Sequence, residues 1–223
     1  MRKTNQVNQL RTGVLLSYVN LGISCIIPFL YTPVMMHMLG QAEYGLYCLA
    51  NSVISYLTLL SFGFGSTIIR YISKYRAEKN KEAVCRTFGF FLQLYIFLGI
   101  LVFVVGLVIS NNVEVIFRKG LTVAEIDKIH ILIIIMAFNT ALSFPMSVFS
   151  SIITSYERYV YRKLIDMIST IAAPIFNLVT LYMGFASIGM SIASTILQIL
   201  MLPLNVISVS YTHLRAHETL MKL

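Results

Sequence analysis

The stretch TFGFFLQLYIFLGILVFVVGLVI, Thr87 to Ile109, carries no charge and contains a single amide side chain, Gln93. An α-helix needs about 20 mostly apolar residues to cross the hydrocarbon core of a bilayer. The run lacks the alternation of apolar and polar residues that a membrane β-strand would show. It therefore predicts a membrane-spanning helix. Because bulky apolar residues occupy every face, we expect this helix to face lipid and to make the fewest contacts in its bundle.

The rest of the chain has the same character. Of its 223 residues, 57% are hydrophobic and 12% charged, and the mean hydropathy is +0.80. Such a chain has too little polar surface to coat a soluble globule. The composition and the long apolar blocks predict an all-α fold, a polytopic membrane helix bundle with six transmembrane helices in residues 1–207. The six predicted spans are Gly13–Met36, Tyr44–Ile69, Thr87–Ile109, Ile129–Ile153, Leu164–Met183 and Ser187–Ile207.

Lys and Arg residues lie in the gaps between the apolar blocks. Counted from the N-terminus, the successive gaps hold three, none, six, three, three and none. Cytoplasmic loops are enriched in Lys and Arg, so the pattern predicts a cytoplasmic N-terminus, with 12 basic residues inside and 3 outside. The net charge of +8 thus follows from topology. With no separate basic domain, the sequence predicts no nucleic-acid partner.

Five of the six blocks carry small polar residues at helical spacings of three and four. Such residues either let helices pack closely and hydrogen-bond in lipid, or line a hydrated cavity for a polar cargo. We call each such row of polar residues a polar stripe. The presence of stripes on five helices favours the cavity, and we expect Asn20, Asn51 and Asn139 to face a shared interior. The stripes consist of Ser17, Asn20 and Ser24; Asn51, Ser55 and Thr58; Asn139, Ser143 and Ser147; Asp166, Thr170 and Asn177; and Ser187, Ser191, Ser194 and Gln198.

Asp166 is the one acidic residue predicted to lie inside a span. It follows Lys163 by three positions at the start of the fifth helix, which favours an interfacial ion pair or a favourable position in the field of the helix dipole over a proton-binding site. No span carries a pair of acids, a histidine cluster or a nucleophile beside a base, so the sequence predicts no enzyme, cofactor or metal site. The cysteines Cys25, Cys48 and Cys85 are far apart in sequence and predict no disulfide.

The segment LGQAEYGLYCLANSVISYLTLLSFGFGSTIIRYISKY, Leu39 to Tyr75, contains a turn ending in Tyr44-Gly45-Leu46-Tyr47 and a basic segment from Arg70 to Tyr75. These features, with the spacing of spans over residues 6–207, resemble the bacterial polysaccharide-biosynthesis flippases. Those proteins belong to the multidrug/oligosaccharidyl-lipid/polysaccharide (MOP) exporter superfamily. The resemblance implies one lobe of a MATE-like fold in the bacterial inner membrane. The implied partners are a lipid-linked oligosaccharide, membrane lipids and a second six-helix lobe, with alternating access as the mechanism.

Two other functions stay open. A cation-coupled drug exporter of the same superfamily commonly uses a carboxylate in the first span, and none lies between Arg11 and Glu43. A membrane scaffold that transports nothing would use the polar stripes for assembly alone.

For a flippase, an isoprenoid pyrophosphate needs fixed cations near the cytoplasmic mouth. Arg70 would bind the pyrophosphate with two parallel hydrogen bonds, and Lys74 would attract it as a point charge. Lys79 is expected only to help set the orientation of the protein in the membrane. If the second helix continues past the membrane, Arg70, Lys74, Glu78 and Lys81 share one side. The candidate substrate-binding residues are Arg70, Lys74, Asn20, Asn51, Asn139 and Asp166.

The end of the chain breaks the apolar pattern. One reverse translation of VSYTHLRAHET, Val209 to Thr219, looks like the transposon-end adapter of sequencing libraries. Residues 208–223 are therefore predicted to be a non-native tail that does not pack against the bundle. The same feature predicts that the chain is the N-terminal half of a longer flippase.

Overall fold

A computed structural model of the chain describes residues 2–61, 63–117, 120–156 and 159–218, with side chains described only between residues 13 and 203. Within these ranges the protein contains helices and turns and no strand, which confirms the all-α prediction. The α-helices are α1 (Arg2–Leu39), α2 (Gln41–Thr58), α3 (Phe64–Ala77), α4 (Lys81–Asn111), α5 (Val113–Phe117), α6 (Val123–Ser155), α7 (Tyr159–Tyr182) and α8 (Ala186–Glu218).

In the described part of the chain, six segments are long and apolar enough to cross a membrane, as predicted. They agree with the predicted spans to within about four residues except at the end of the second and at the starts of the third and fourth, which extend further. The chain is therefore a multi-pass membrane protein. The segments are Gly13–Leu39, Gln41–Ala77, Lys81–Asn111, Val123–Ser155, Val160–Tyr182 and Ala186–Pro203.

The second span is a broken helix. A 3-10 turn, Leu59–Ser61, follows α2, and Gly63 then adopts a left-handed conformation with φ of 66°. The third helix ends at Ala77, and Lys79, with φ of 57°, turns the chain into α4. The prediction that one helix carries Lys81 beside Arg70 is therefore wrong, because Lys81 is the first residue of α4.

The central element is α6, which packs against α2, α3, α4 and α8. Its buried residues include Ile129, Ile133, Ala137 and Val148, all fully enclosed. By contrast, α1 lies at the edge, where it packs mainly on α7 and to a lesser extent on α2. The chain thus forms a bundle around α6, with α1 as its least enclosed span.

The expectation that the third span makes the fewest contacts is wrong. This span, α4, packs along α6 through a face on which Gly99 and Gly106 are buried. A Cβ at Gly99 would lie 2.7 Å from the carbonyl oxygen of Ala141, and one at Gly106 would lie 2.4 Å from the Ala137 Cβ. Small residues at these positions let the two backbones approach closely, as in other membrane helix pairs.

The opposite face of α4 matches the expected lipid exposure. Phe90 and Phe97 are 61% and 62% exposed, and Ile100 is 59% exposed. The third span is therefore half lipid-facing and half a packing surface.

Candidate functional site

Polar side chains on α6, α7 and α8 bind one another rather than line a cavity. The Nδ2 of Asn139 donates a hydrogen bond to Thr195 Oγ1 at 3.2 Å, joining α6 to α8. Ser194 Oγ donates to Asn177 Oδ1 at 3.3 Å, joining α8 to α7. Asn177 and Thr195 are buried. In this part of the bundle the stripes serve helix association, which is the alternative that the sequence left open.

At one end of the bundle, the Glu43 carboxylate joins three helices. Its Oε2 lies 2.6 Å from Lys128 Nζ on α6, and its Oε1 accepts a hydrogen bond from Ser187 Oγ on α8 at 2.5 Å. We call these three residues the Glu43 clamp. Sequence reasoning missed the clamp, although one signal was present: Glu43 is the only acidic residue before Glu78.

At the other end of the bundle, Arg76 binds the C-terminal end of α6. Arg76 Nη1 on α3 donates to the Ser155 carbonyl oxygen at 2.5 Å, and its guanidinium lies 4.9 Å from the ring centre of Tyr156. This contact satisfies one of the carbonyls that a helix leaves unpaired at its C-terminus. Burial raises the pKa of the Tyr156 hydroxyl, although the positive charge of Arg76 opposes that shift.

Asp166 forms the expected ion pair with an unexpected partner. Its Oδ1 lies 2.9 Å from Arg162 Nη2, one turn earlier on α7, and the two side chains are 27% and 28% exposed. Arg162 also donates to Ser150 Oγ on α6. The predicted partner, Lys163, does not form this pair. The spacing of four residues between Arg162 and Asp166 places the two charges on the same helix face.

The helices α2 and α3 each carry a row of exposed polar side chains. On α2 the row consists of Asn51, Ser52 and Ser55, and on α3 it consists of Ser66, Arg70 and Lys74 at successive intervals of four. The opposite faces of the same helices are apolar and buried. We call these two rows together the polar face. The buried residues behind it are Ala50, Ile54, Ile68 and Ile72.

The two cations of the polar face differ in their surroundings. Lys74 Nζ lies 3.9 Å from Glu78 Oε1, with both side chains at least half exposed, and 5.9 Å from the ring centre of Tyr75. Among the described residues, Arg70 forms no ion pair or hydrogen bond. Its guanidinium is therefore available to an external anion.

The three predicted amides do not converge on one packed interior. Asn51 is exposed on the polar face, whereas Asn139 is bonded to Thr195 between α6 and α8. Asn20 is half-buried on α1, and its Oδ1 has no hydrogen-bond partner in the described part of the chain. The same ranges bring no three His, Cys, Asp or Glu side chains together as metal ligands.

The family model "Polysaccharide biosynthesis protein" matches residues 10–220, nearly the whole chain. No curated protein and no solved structure matches the chain. The family match agrees with the six candidate spans. The chain therefore belongs to the polysaccharide biosynthesis protein family, the flippases of the MOP exporter superfamily.

Proposed function

We propose that this chain forms a six-helix lobe of a flippase that moves an isoprenoid-pyrophosphate-linked oligosaccharide to the outer leaflet. The transport serves cell-surface polysaccharide biosynthesis, in the bacterial inner membrane, with the N-terminus in the cytoplasm. Movement occurs by alternating access against a second lobe. The observation that carries this proposal is the polar face of α2 and α3, which is exposed on an otherwise apolar bundle.

Contact with lipid does not explain the polar face. Amide and cationic side chains on spanning helices are costly against hydrocarbon and face a bundle interior or a water-filled cavity. The break between α2 and α3 supports the same conclusion. Non-helical backbone at membrane depth is tolerated where it is buried in protein or lines a cavity. Leu59, at the break, is 69% exposed within this lobe. The face therefore lines an aqueous path or meets another lobe.

The chemistry of the polar face fits a lipid-linked sugar. Asn51 presents an amide that can both donate to and accept from sugar hydroxyls. The hydroxyls of Ser52 and Ser55 donate to the Cys48 and Asn51 carbonyl oxygens at 2.8 and 2.7 Å, and their oxygens can still accept from a sugar. Arg70, further along the same face, presents a planar fork that binds two oxygens of a pyrophosphate at once. Lys74 adds a second positive charge one turn away. The other candidates contribute less, because Asn139 and Asp166 are already bonded within the lobe.

The scaffold alternative draws support from the bonds among α6, α7 and α8, which serve assembly. It leaves the exposed cations and amide of the polar face without a role. A transport assay separates the possibilities. The complete protein is reconstituted into vesicles that carry a fluorescent isoprenoid-pyrophosphate oligosaccharide, and exposure of the label in the opposite leaflet is followed by quenching.

We expect the protein to accelerate this movement over protein-free vesicles. Efflux of a cationic dye driven by an ion gradient, with no movement of the glycolipid, would instead identify a drug exporter. Movement of neither would support the scaffold. Both of these outcomes would overturn the proposal.

A further inference from the structure

A half-open pocket lies at the turn between α3 and α4, and the proposed transport path does not use it. Its volume is about 310 Å³. Tyr75 and Asn80 contribute from the end of α3 and the turn, and the remaining lining comes from the first two turns of α4. We call this cavity the elbow pocket. The residues from α4 are Glu82, Ala83, Arg86 and Thr87.

A positive and a negative side chain open onto the elbow pocket side by side. Glu82 and Arg86 are one turn apart on α4, and both are exposed. This spacing normally favours an ion pair. Within the described residues, however, Glu82 and Arg86 form no ion pair with each other or with any other residue. Asn80 is already used, because its side-chain oxygen accepts the Ala83 N–H at 3.0 Å. Both charges are therefore free for a ligand.

The elbow pocket lies at the level of the lipid headgroups. Arg86 is the last charged residue before the uncharged run of the third span, so the hydrocarbon begins within about one turn of it. Directly below Arg86 on the same helix face, Phe90 is 61% exposed, and Phe97 two turns further is 62% exposed. Gln93 interrupts this apolar strip. An acyl chain can lie along the exposed phenyl rings while its headgroup occupies the pocket.

We infer that the elbow pocket binds the headgroup of an ethanolamine phospholipid. The Arg86 guanidinium donates hydrogen bonds to the phosphate, and the Glu82 carboxylate accepts them from the primary ammonium. A choline headgroup has no N–H to donate to Glu82, and a glycerol headgroup has no cation to balance it. The volume lies at the lower end of small-molecule pockets, about 300–1,000 Å³, which suits a headgroup better than an oligosaccharide.

Native mass spectrometry of the detergent-purified chain tests this inference. Phosphatidylethanolamine, phosphatidylcholine and phosphatidylglycerol with identical acyl chains are titrated separately. We expect phosphatidylethanolamine to bind several-fold more tightly than either of the others. Glu82→Gln should weaken the binding of phosphatidylethanolamine about tenfold, the size expected for one charge-assisted hydrogen bond. The same change should strengthen the binding of phosphatidylglycerol. Arg86→Ala should weaken the binding of all three lipids, because each carries a phosphate.

Two exposed charges outside the pocket provide matched controls. Lys81→Ala removes a neighbouring cation and Glu78→Gln a neighbouring carboxylate, and neither residue lines the cavity. We expect both variants to bind like the unmodified chain. If Arg86→Ala does not fold, Arg86→Lys keeps the charge and should lose only part of the affinity.

Equal affinity for the three lipids, or an equal loss in Lys81→Ala and Arg86→Ala, would overturn the inference. So would preferential binding of phosphatidylglycerol that Glu82→Gln leaves unchanged, because the pocket would then bind an anionic headgroup. Competition by soluble phosphoethanolamine at millimolar concentration supports headgroup recognition. If bulk lipid does not bind but phosphoethanolamine does, the pocket binds a free phosphate compound, and the lipid assignment is wrong.

Discussion

The Nζ of Lys128, in the first turns of α6, lies 2.6 Å from Oε2 of Glu43, in the first turn of α2. The other carboxylate oxygen accepts the hydroxyl of Ser187 at the start of α8. The Glu43 side chain is 13% exposed and that of Lys128 is 47% exposed. One carboxylate thus connects the beginnings of three spanning helices that are far apart in sequence.

Replacing this carboxylate should loosen the bundle. We expect Glu43→Gln to lower the free energy of unfolding by about 1–3 kcal/mol, because it removes the charge that pairs with Lys128 and keeps one oxygen for Ser187. The measurement is the midpoint of thermal unfolding in detergent. Glu114→Gln, on the exposed surface of α5, is the matched control and should leave the midpoint unchanged. Equal midpoints for the two variants would mean that the clamp contributes nothing to stability.

The contact between α4 and α6 should tolerate no added carbon at Gly99. Gly99→Ala places a Cβ 2.7 Å from a backbone oxygen of Ala141, so the helices must separate. We expect a loss of about 1–3 kcal/mol in the free energy of unfolding. Gly89→Ala on the same helix meets nothing within 4 Å and should be neutral or slightly stabilising. A Gly99→Ala variant as stable as Gly89→Ala would contradict the close packing.

Arg70 is the residue of the polar face on which transport should depend most. In the complete protein, we expect Arg70→Ala to lose most transport, because no other described side chain on this face offers a guanidinium fork. Arg70→Lys should restore part of it. Lys79→Ala should lose little transport. Lys and Ala both carry a Cβ, so the left-handed backbone conformation at this position is equally strained in the two proteins. Complementation of a flippase-deficient strain at matched protein levels is the readout. Equal complementation by the Arg70 and Lys79 alanine variants would leave Arg70 with a role in topology alone.

The orientation in the membrane can be read by cysteine labelling. A cysteine at Lys79 should react with an impermeant reagent only from the cytoplasmic side, and one at Glu114 only from outside. Both positions are exposed. The native thiols Cys25, Cys48 and Cys85 must first be replaced, since Cys25 and Cys85 are exposed. The reverse labelling pattern would invert the predicted topology.

Residues 208–223 should be dispensable. The backbone of α8 continues as helix to Glu218, while the side chains beyond residue 203 lie outside the described part of the chain, so the predicted lack of packing stays a prediction. We expect a chain ending at Ile207 to keep the unfolding midpoint of the longer one, because a non-native segment, as the sequence predicts here, would have no surface complementary to the bundle. A clear fall in the midpoint would show that the segment packs natively.

The sequence alone determined the class of fold and the number and approximate position of the spans. This was possible because the decisive signal is local: a run of about 20 apolar residues has no stable alternative to a helix in hydrocarbon. The spacing of charged residues along one helix likewise predicted an ion pair for Asp166, although the partner is Arg162 and not Lys163. It also singled out Arg70, which the structure leaves exposed and unpaired among its described residues.

Only the tertiary structure decided which polar groups meet across helices and which face of α4 is buried. Ser187 reaches Glu43 across 144 residues, and Asn139 reaches Thr195 across 56; no periodicity within one helix encodes such pairs. The apolar pattern of a helix also does not indicate which other helix it packs against, because lipid is as apolar as a leucine side chain. Association in the bilayer depends instead on close fit, and the fit of α4 on α6 depends on the missing Cβ atoms of Gly99 and Gly106.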